Sequence, residues 1–465
     1  MKYFEEMCLI PHGSADTDKI ADYCVEFAKR HRLEYLRDKY NNVIIRKPCS
    51  EACAVNDTVI IQGHLDMVCA KEKDSDFDFK TDSLRLRTDG EYIWADKTTL
   101  GGDDAIAIAM ALAILEDETL THPALECVFT TDEEIGMLGA SAMDMSTLKG
   151  KYMLNIDSEE EGVFTAGCAG GAVLKMTVRG EKIPTDNRSF YKITVNGLRG
   201  GHSGVEIDKG RANANIVLGE VLKTLSEKYE IYPVSICGGE KDNAIARRSE
   251  ALVAVGGAYG IENEINILNS AYKEKFAETD ENIRIELSQC GKAQYALKCG
   301  IIDILSSVPN GVCKMSADIE KLVQTSLNLG EVKTEDDIIS VTFSLRSSVE
   351  NEKKELAKLL RSIGERYGAV CEMYGDYPGW EYNPSSKLQS VCRSVFENMF
   401  GREPQINAIH AGLECGIFCG KIDGLDCISF GPDILDIHTP KERLNINSTK
   451  RVYNFLTELL KKLSE

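Results

Sequence analysis

Histidines and carboxylates are the residues of this sequence whose spacing invites chemistry. Seven histidines occur, at 12, 31, 64, 122, 202, 410 and 438. A metal site would draw on these and on acidic side chains, because the 16 cysteines are scattered and form no tight CxxC pair. His64 and Asp66 stand in QGHLDMV, Asp103 and Asp104 in TLGGDDA, Glu133 and Glu134 in TTDEEIG, and Asp157 in NIDSEEEG. Each has an ordinary reading. A histidine after a strand is commonly a hydrogen-bonded structural residue. Paired aspartates at a helix start can cap it, a reading that suits Asp104. An acidic turn can simply be solvated. Together they form an inventory that single readings do not explain. Co-catalytic zinc sites need about four ligands per ion from histidine and carboxylate, with the ions ~3.5–4 Å apart. One further carboxylate must stay free to act as a base.

The elements expected around these residues would bring them together. Residues 15–31 read as an amphipathic helix, and 41–47 and 57–63 as strands. DAIAIAMALAILE, at 104–116, reads as a buried helix, and 125–131 and 151–157 as further strands. Such alternation predicts an α/β fold, a mixed sheet covered by helices on both faces. Functional groups in such sheets gather beyond the carboxyl ends of strands, where His64, Asp66, Glu133, Glu134 and Asp157 fall. From about 183 to 372 the pattern changes to an α+β one, and GDYPGWEYNP near 375–384 marks a return. The expected organisation is a discontinuous catalytic domain, 1–182 and 373–465, with an inserted lid or dimerisation domain, 183–372.

Composition narrows the function. A formal net charge of −20 argues against a nucleic-acid partner. No run of ~18 apolar residues predicts a membrane span. The N-terminus lacks the clean apolar run of a signal peptide, and the scattered thiols suit a reducing compartment, so the expected location is cytoplasmic.

The order HLD, GGDD, DEEIG, NIDSEEEG and a late HTPKE resembles the dinuclear-zinc metallopeptidase family of glutamate carboxypeptidase, aminoacylase and the bacterial dipeptidases. Longer strings, FEEMCLIPHGS, GLRGGHSGVEI, DNAIAR, IHAGLECGIF and DIHTPKERLNI, are similar to its aminoacyl-histidine dipeptidase branch, from residue 4 to residue 447. The resemblance implies that His64 and Asp157 hold one metal ion, and Glu134 and His438 the other. Asp103 would bridge them, with a cis peptide bond to Asp104. Asp66 would hydrogen-bond the far nitrogen of His64. Glu133 would be the general base, taking a proton from a metal-bound water whose hydroxide attacks the peptide carbonyl. His202 would serve the oxyanion. Arg346 and Asn243 match positions that grip the substrate's carboxylate end, and His410, Gly412 and Glu414 match a pocket loop. By residue type alone, His202 can equally be structural and Arg346 a strand-surface arginine. His12, His31 and His122 read as structural or surface residues.

The resulting expectation is a metallodipeptidase, cleaving Xaa-His dipeptides with broad tolerance. It would carry two divalent ions per subunit, zinc by default, with manganese or cobalt open. A dipeptide would be its partner, and a homodimer through the inserted domain is compatible with it. An N-acyl-amino-acid deacylase on the same fold is an alternative, as is a non-catalytic binding protein.

Overall fold

The structure is a computed structural model describing residues 1–465. The chain divides into two units. The first comprises Met1–Cys168, Trp380–Ala408 and Leu413–Glu465; the second comprises Ala169–Gly379 and Ile409–Gly412. No helix is long and apolar enough to cross a membrane.

In the first unit, eight strands form a mixed sheet. They are β1 (Glu34–Arg37), β2 (Val43–Lys47), β3 (Thr58–His64), β4 (Ala124–Thr130), β5 (Tyr152–Asn155), β6 (Val163–Cys168), β7 (Gln405–Ile409) and β8 (Asp426–Ser429). Their order is β1-β2-β4-β3-β5-β8-β6-β7. β4, β3, β5 and β8 run parallel, and β1 and β2 add antiparallel edges. β3 is buried along nearly its whole length, as expected for a strand covered on both faces. The register sets His64 beside Thr130, and Gln62 beside both Val128 and Asn155. The chain therefore leaves three neighbouring strands at one edge, where His64, Glu133, Glu134 and Asp157 follow. This is the usual place for a site in an open α/β sheet.

Helices α1 (Asp18–Arg30), α2 (Gly102–Glu116), α3 (Lys387–Phe400), α4 (Glu414–Lys421) and α5 (Ile446–Leu463) belong to this unit. α2 is apolar all round and buried on nearly every side, whereas α1 and α5 carry one apolar stripe each. Phe164, Phe396, Phe430 and Phe455 pack between sheet and helices with ring centroids 5.1–5.8 Å apart. A small four-stranded sheet joins Tyr92–Ala95 to Arg443–Asn445.

The second unit is built on a nine-stranded antiparallel sheet covered by helices that include Ala214–Ser226 and Glu350–Arg366, with its own apolar core. Its limits differ from the boundaries near 182 and 373 read from sequence. Gly170–Arg179 pairs with Ile338–Ser347 and Ala369–Tyr377, so it belongs to this sheet.

Candidate metal centre and active site

All five residues expected as metal ligands converge in the first unit. Asp103 is at their middle. Its Oδ1 lies 3.0 Å from His64 Nε2, and its Oδ2 lies 3.2 Å from His438 Nε2. Asp157 Oδ1 is 3.6 Å from the same nitrogen of His64, and Glu134 Oε1 is 2.9 Å from His438 Nε2. The two oxygens of one carboxylate thus face two separate histidine–carboxylate pairs. The donor atoms of Asp103, Glu134 and His438 lie within 4.8 Å of one another, as do those of His64, Glu133 and Glu134.

The local backbone follows from this convergence. The Asp103–Asp104 peptide bond is cis. Neither aspartate has helical φ/ψ, so regular α2 begins after them, and the Asp104 side chain is not turned to the helix's own N–H groups. Its Oδ2 accepts instead from the main-chain N–H of His64, at 3.1 Å. A Cβ on Gly63 would collide with that oxygen, which explains the glycine before His64. His438 itself is left-handed, with φ 60°.

Asp66 differs from its expected role. His64 Nδ1 lies 2.9 Å from the main-chain carbonyl of Asp66, which takes its proton; the carboxylate is 3.6 Å away, beyond hydrogen-bond length. That carboxylate accepts instead from Ser14 Oγ at 2.8 Å and from the main-chain N–H groups of Glu133 and Glu134, at 3.0 and 3.4 Å. It fixes the turn that presents the two glutamates.

Charge makes this cluster fit cations. Burial pushes Glu133 well above the usual carboxylate range, and it raises Glu134 and Asp157 as well, each beside another acid. The basic groups within 4 Å of Asp103, Glu134 and Asp157 are histidines, not lysine or arginine. Asp103, which accepts from His438 Nε2, and the adjacent Glu134 carboxylate push His438 up to about 10; His64 is opposed by burial yet held high by Asp157 and Asp103. Divalent cations would answer the same acids and displace protons from the histidine ring nitrogens. The buried Glu134 Oε1 is out of line for a hydrogen bond to His438 and has no other partner, so its lone pairs are free for an ion.

Glu414, expected in the pocket loop, is fully enclosed in the first unit. Its Oε2 accepts from Thr130 Oγ1 at 2.6 Å and Gln62 Nε2 at 2.5 Å, and Gln62 in turn binds Asn155. It braces β3 and β4 and offers no surface to a ligand. Burial pushes it up to about 8.

The other expected residues lie in the second unit. His202 Nδ1 accepts from Gly204 N–H at 3.1 Å, which puts the proton of the neutral ring on Nε2. Burial, then Arg346, lowers its pKa. His410 Nε2 is 2.7 Å from Ser326 Oγ, and burial with Arg346 lowers it to about 4. Arg346 is nearly buried, pairs with no carboxylate, and donates to Tyr377 Oη at 3.2 Å while its Nε has no partner. The carbonyl of Asn243 accepts from Ser203 N–H, and Asn328 holds the residues on either side of it. Gly412 ends the short return of the chain into this unit. Of the remaining histidines, His12 and His122 bind main-chain carbonyls and His31 stacks on Phe27. One residue outside the expected set stands out. Glu442, in HTPKE, is buried against the main chain of the GGDD loop.

The pattern of peptidase family M20/M25/M40 matches residues 60–462. The chain belongs to that family. It is a peptidase and hence a hydrolase, and its mixed sheets with helices are the M20 fold. It is 36% identical to the cytosol non-specific dipeptidase of Escherichia coli, over 99% of this chain and 96% of that one. The aminoacylhistidine dipeptidase structure from Vibrio alginolyticus superposes with a TM-score of 0.92 at 34% identity, covering 99% of this chain and 96% of that one. The aminopeptidase PepT structure from Bacillus cereus shares the fold at a TM-score of 0.60 and 14% identity, covering 100% and 98%.

Proposed function

We propose that this M20 peptidase is a dipeptidase that works with two divalent metal ions. The observation that carries the reading is Asp103, whose two oxygens face separate histidine–carboxylate pairs. In this reading, His64, Asp157 and Asp103 would hold one ion, and His438, Glu134 and Asp103 the other. Bound there, the ions would acidify a water and polarise the scissile carbonyl. Zinc is the default for histidine and carboxylate donors, with manganese or cobalt as alternatives.

The protein's own groups do the rest. Glu133, whose burial favours a bound proton, takes one from the attacking water and returns it to the leaving amine. Asp66 keeps Glu133 and Glu134 in register by holding both their N–H groups. His202 Nε2–H donates to the developing oxyanion, from this chain or a second copy. Arg346, charged and without a carboxylate partner, takes the substrate's C-terminal carboxylate through its planar fork, with Asn243, His410 and Gly412 shaping that end. The second unit, as lid or dimer module, would limit substrates to two residues. The name of the E. coli relative, a cytosol non-specific dipeptidase, supports dipeptides, broad tolerance and a cytosolic location, and that of the Vibrio relative supports dipeptides ending in histidine.

The test is hydrolysis of a panel: several Xaa-His dipeptides, other dipeptides, a tripeptide and N-acetyl amino acids. Dipeptides, Xaa-His among the best, should be cleaved. Equal cleavage of the tripeptide would remove the length restriction, and preference for N-acetyl amino acids would make the chain a deacylase.

A further inference from the structure

Glu442 is 2% exposed, and its carboxylate meets four successive main-chain N–H groups. Oε2 accepts from Leu100 at 2.7 Å and Gly101 at 3.1 Å; Oε1 accepts from Gly102 at 2.7 Å and, more weakly, from Asp103 at 3.4 Å. Consecutive N–H groups turned toward one point form a concave anion seat, and a carboxylate filling it makes charge-assisted bonds. The seat needs Gly101 in the left-handed region, at φ 68°. It ends on the residue whose side chain faces both histidines.

Glu442 is itself well anchored. It precedes the strand Arg443–Asn445, which pairs with Tyr92–Ala95, and its N–H donates to the Thr439 carbonyl at 3.1 Å. His438 begins the same short loop. One loop therefore holds Asp103 twice: His438 meets its side chain, and Glu442 fastens the backbone that carries it. A burial partner for a generic loop would have no reason to spend both oxygens on the four residues ending at Asp103.

We propose that Glu442 is a positioning residue: through the main chain of Leu100–Asp103 it holds the Asp103 carboxylate where both oxygens can be used at once. The inference rests on the two-metal reading above. Groups that orient metal ligands from behind typically change metal affinity ~10–100-fold when removed.

The experiment uses the full-length protein stripped of metal, with zinc binding followed by calorimetry, alongside the thermal midpoint of the metal-free form and kcat and KM on an Xaa-His dipeptide. Glu442→Gln keeps one carbonyl oxygen but turns an amide donor toward other donors. The expected result is a zinc affinity ~10–100-fold weaker and a lower kcat at similar KM in a protein that still folds, with a lowered metal-free midpoint because the amide turns a donor toward main-chain N–H groups. Gly102→Ala is the second variant, should Glu442→Gln fold poorly: its Cβ would sit 3.2 Å from Glu442 Oε1 and push against that oxygen, so affinity should fall in the same direction by a smaller factor. Parent-like zinc affinity in a folded Glu442→Gln or Gly102→Ala protein would overturn the inference and leave the two-metal reading standing. A parent protein that binds no zinc would overturn both.

Discussion

Glu133 and Glu134 are neighbours in the chain but differ in their engagements. Glu134 reaches His438, whereas only the main-chain N–H of Glu133 is held, by Asp66. In the proposed mechanism that difference separates a ligand from a base. Glu133→Gln is expected to lower kcat by at least ~10²–10⁴-fold while leaving bound metal unchanged. Metal analysis beside kcat checks this, and loss of an ion would move Glu133 into the ligand set. His410 gives a prediction about stability. Its pKa, about 4 in the fold, is below the ordinary 6.5, so the unfolded chain binds the extra proton in that window. Its contribution is complete above pH 6.5 and is lost as pH falls toward 4, an effect of roughly 3 kcal/mol. Melting curves from pH 4 to 7 should therefore fall less steeply for His410→Gln than for the parent. Identical pH dependence would show that the ring is not held neutral.

At the scale of elements, the turn after β4 is organised by a residue from the turn after β3. Removing the Asp66 carboxylate strands two N–H groups and frees the glutamates. Asp66→Ala is expected to reduce kcat and metal affinity ~10–100-fold, with Asp66→Asn milder because its oxygen still accepts. Kinetics and calorimetry of the pair would show it, and equal effects would mean that charge, not the hydrogen bonds, matters. The central strands and α2 were legible in the sequence, because their apolar runs and Ala-rich composition are local signals. The acids and His64 were legible as a set for the same reason, each standing just past such a run. The role of Asp66 was not, because its partners Ser14 and Glu133 lie 52 and 67 residues away. Glu442 was quoted within HTPKE, yet its partners are some 340 residues distant. Gly170–Arg179 fell on the wrong side of the boundary because its partner strands come about 160 and 200 residues later. Glu414, polar and near a histidine, reads as a pocket residue until the strands it braces are known. In each case the missing information was tertiary pairing.

For the whole molecule, two units with separate cores carry unequal parts of the proposed chemistry. Every candidate metal ligand belongs to the first. Chelation should therefore lower one unfolding transition and leave the other in place, with ~2.7 kcal/mol of stabilisation at stake when free metal is 100 times its Kd. Scanning calorimetry with and without chelator shows this; a common shift of all transitions would mean that the units unfold together. The most direct test of the paired site is stepwise return of zinc to metal-free protein, following bound metal and cleavage of an Xaa-His dipeptide together. The expected result is activity that reaches its maximum at two equivalents per chain, with Asp103→Ala unable to hold the pair. Full activity without metal, or an Asp103→Ala protein that binds two ions as tightly as the parent, would contradict it.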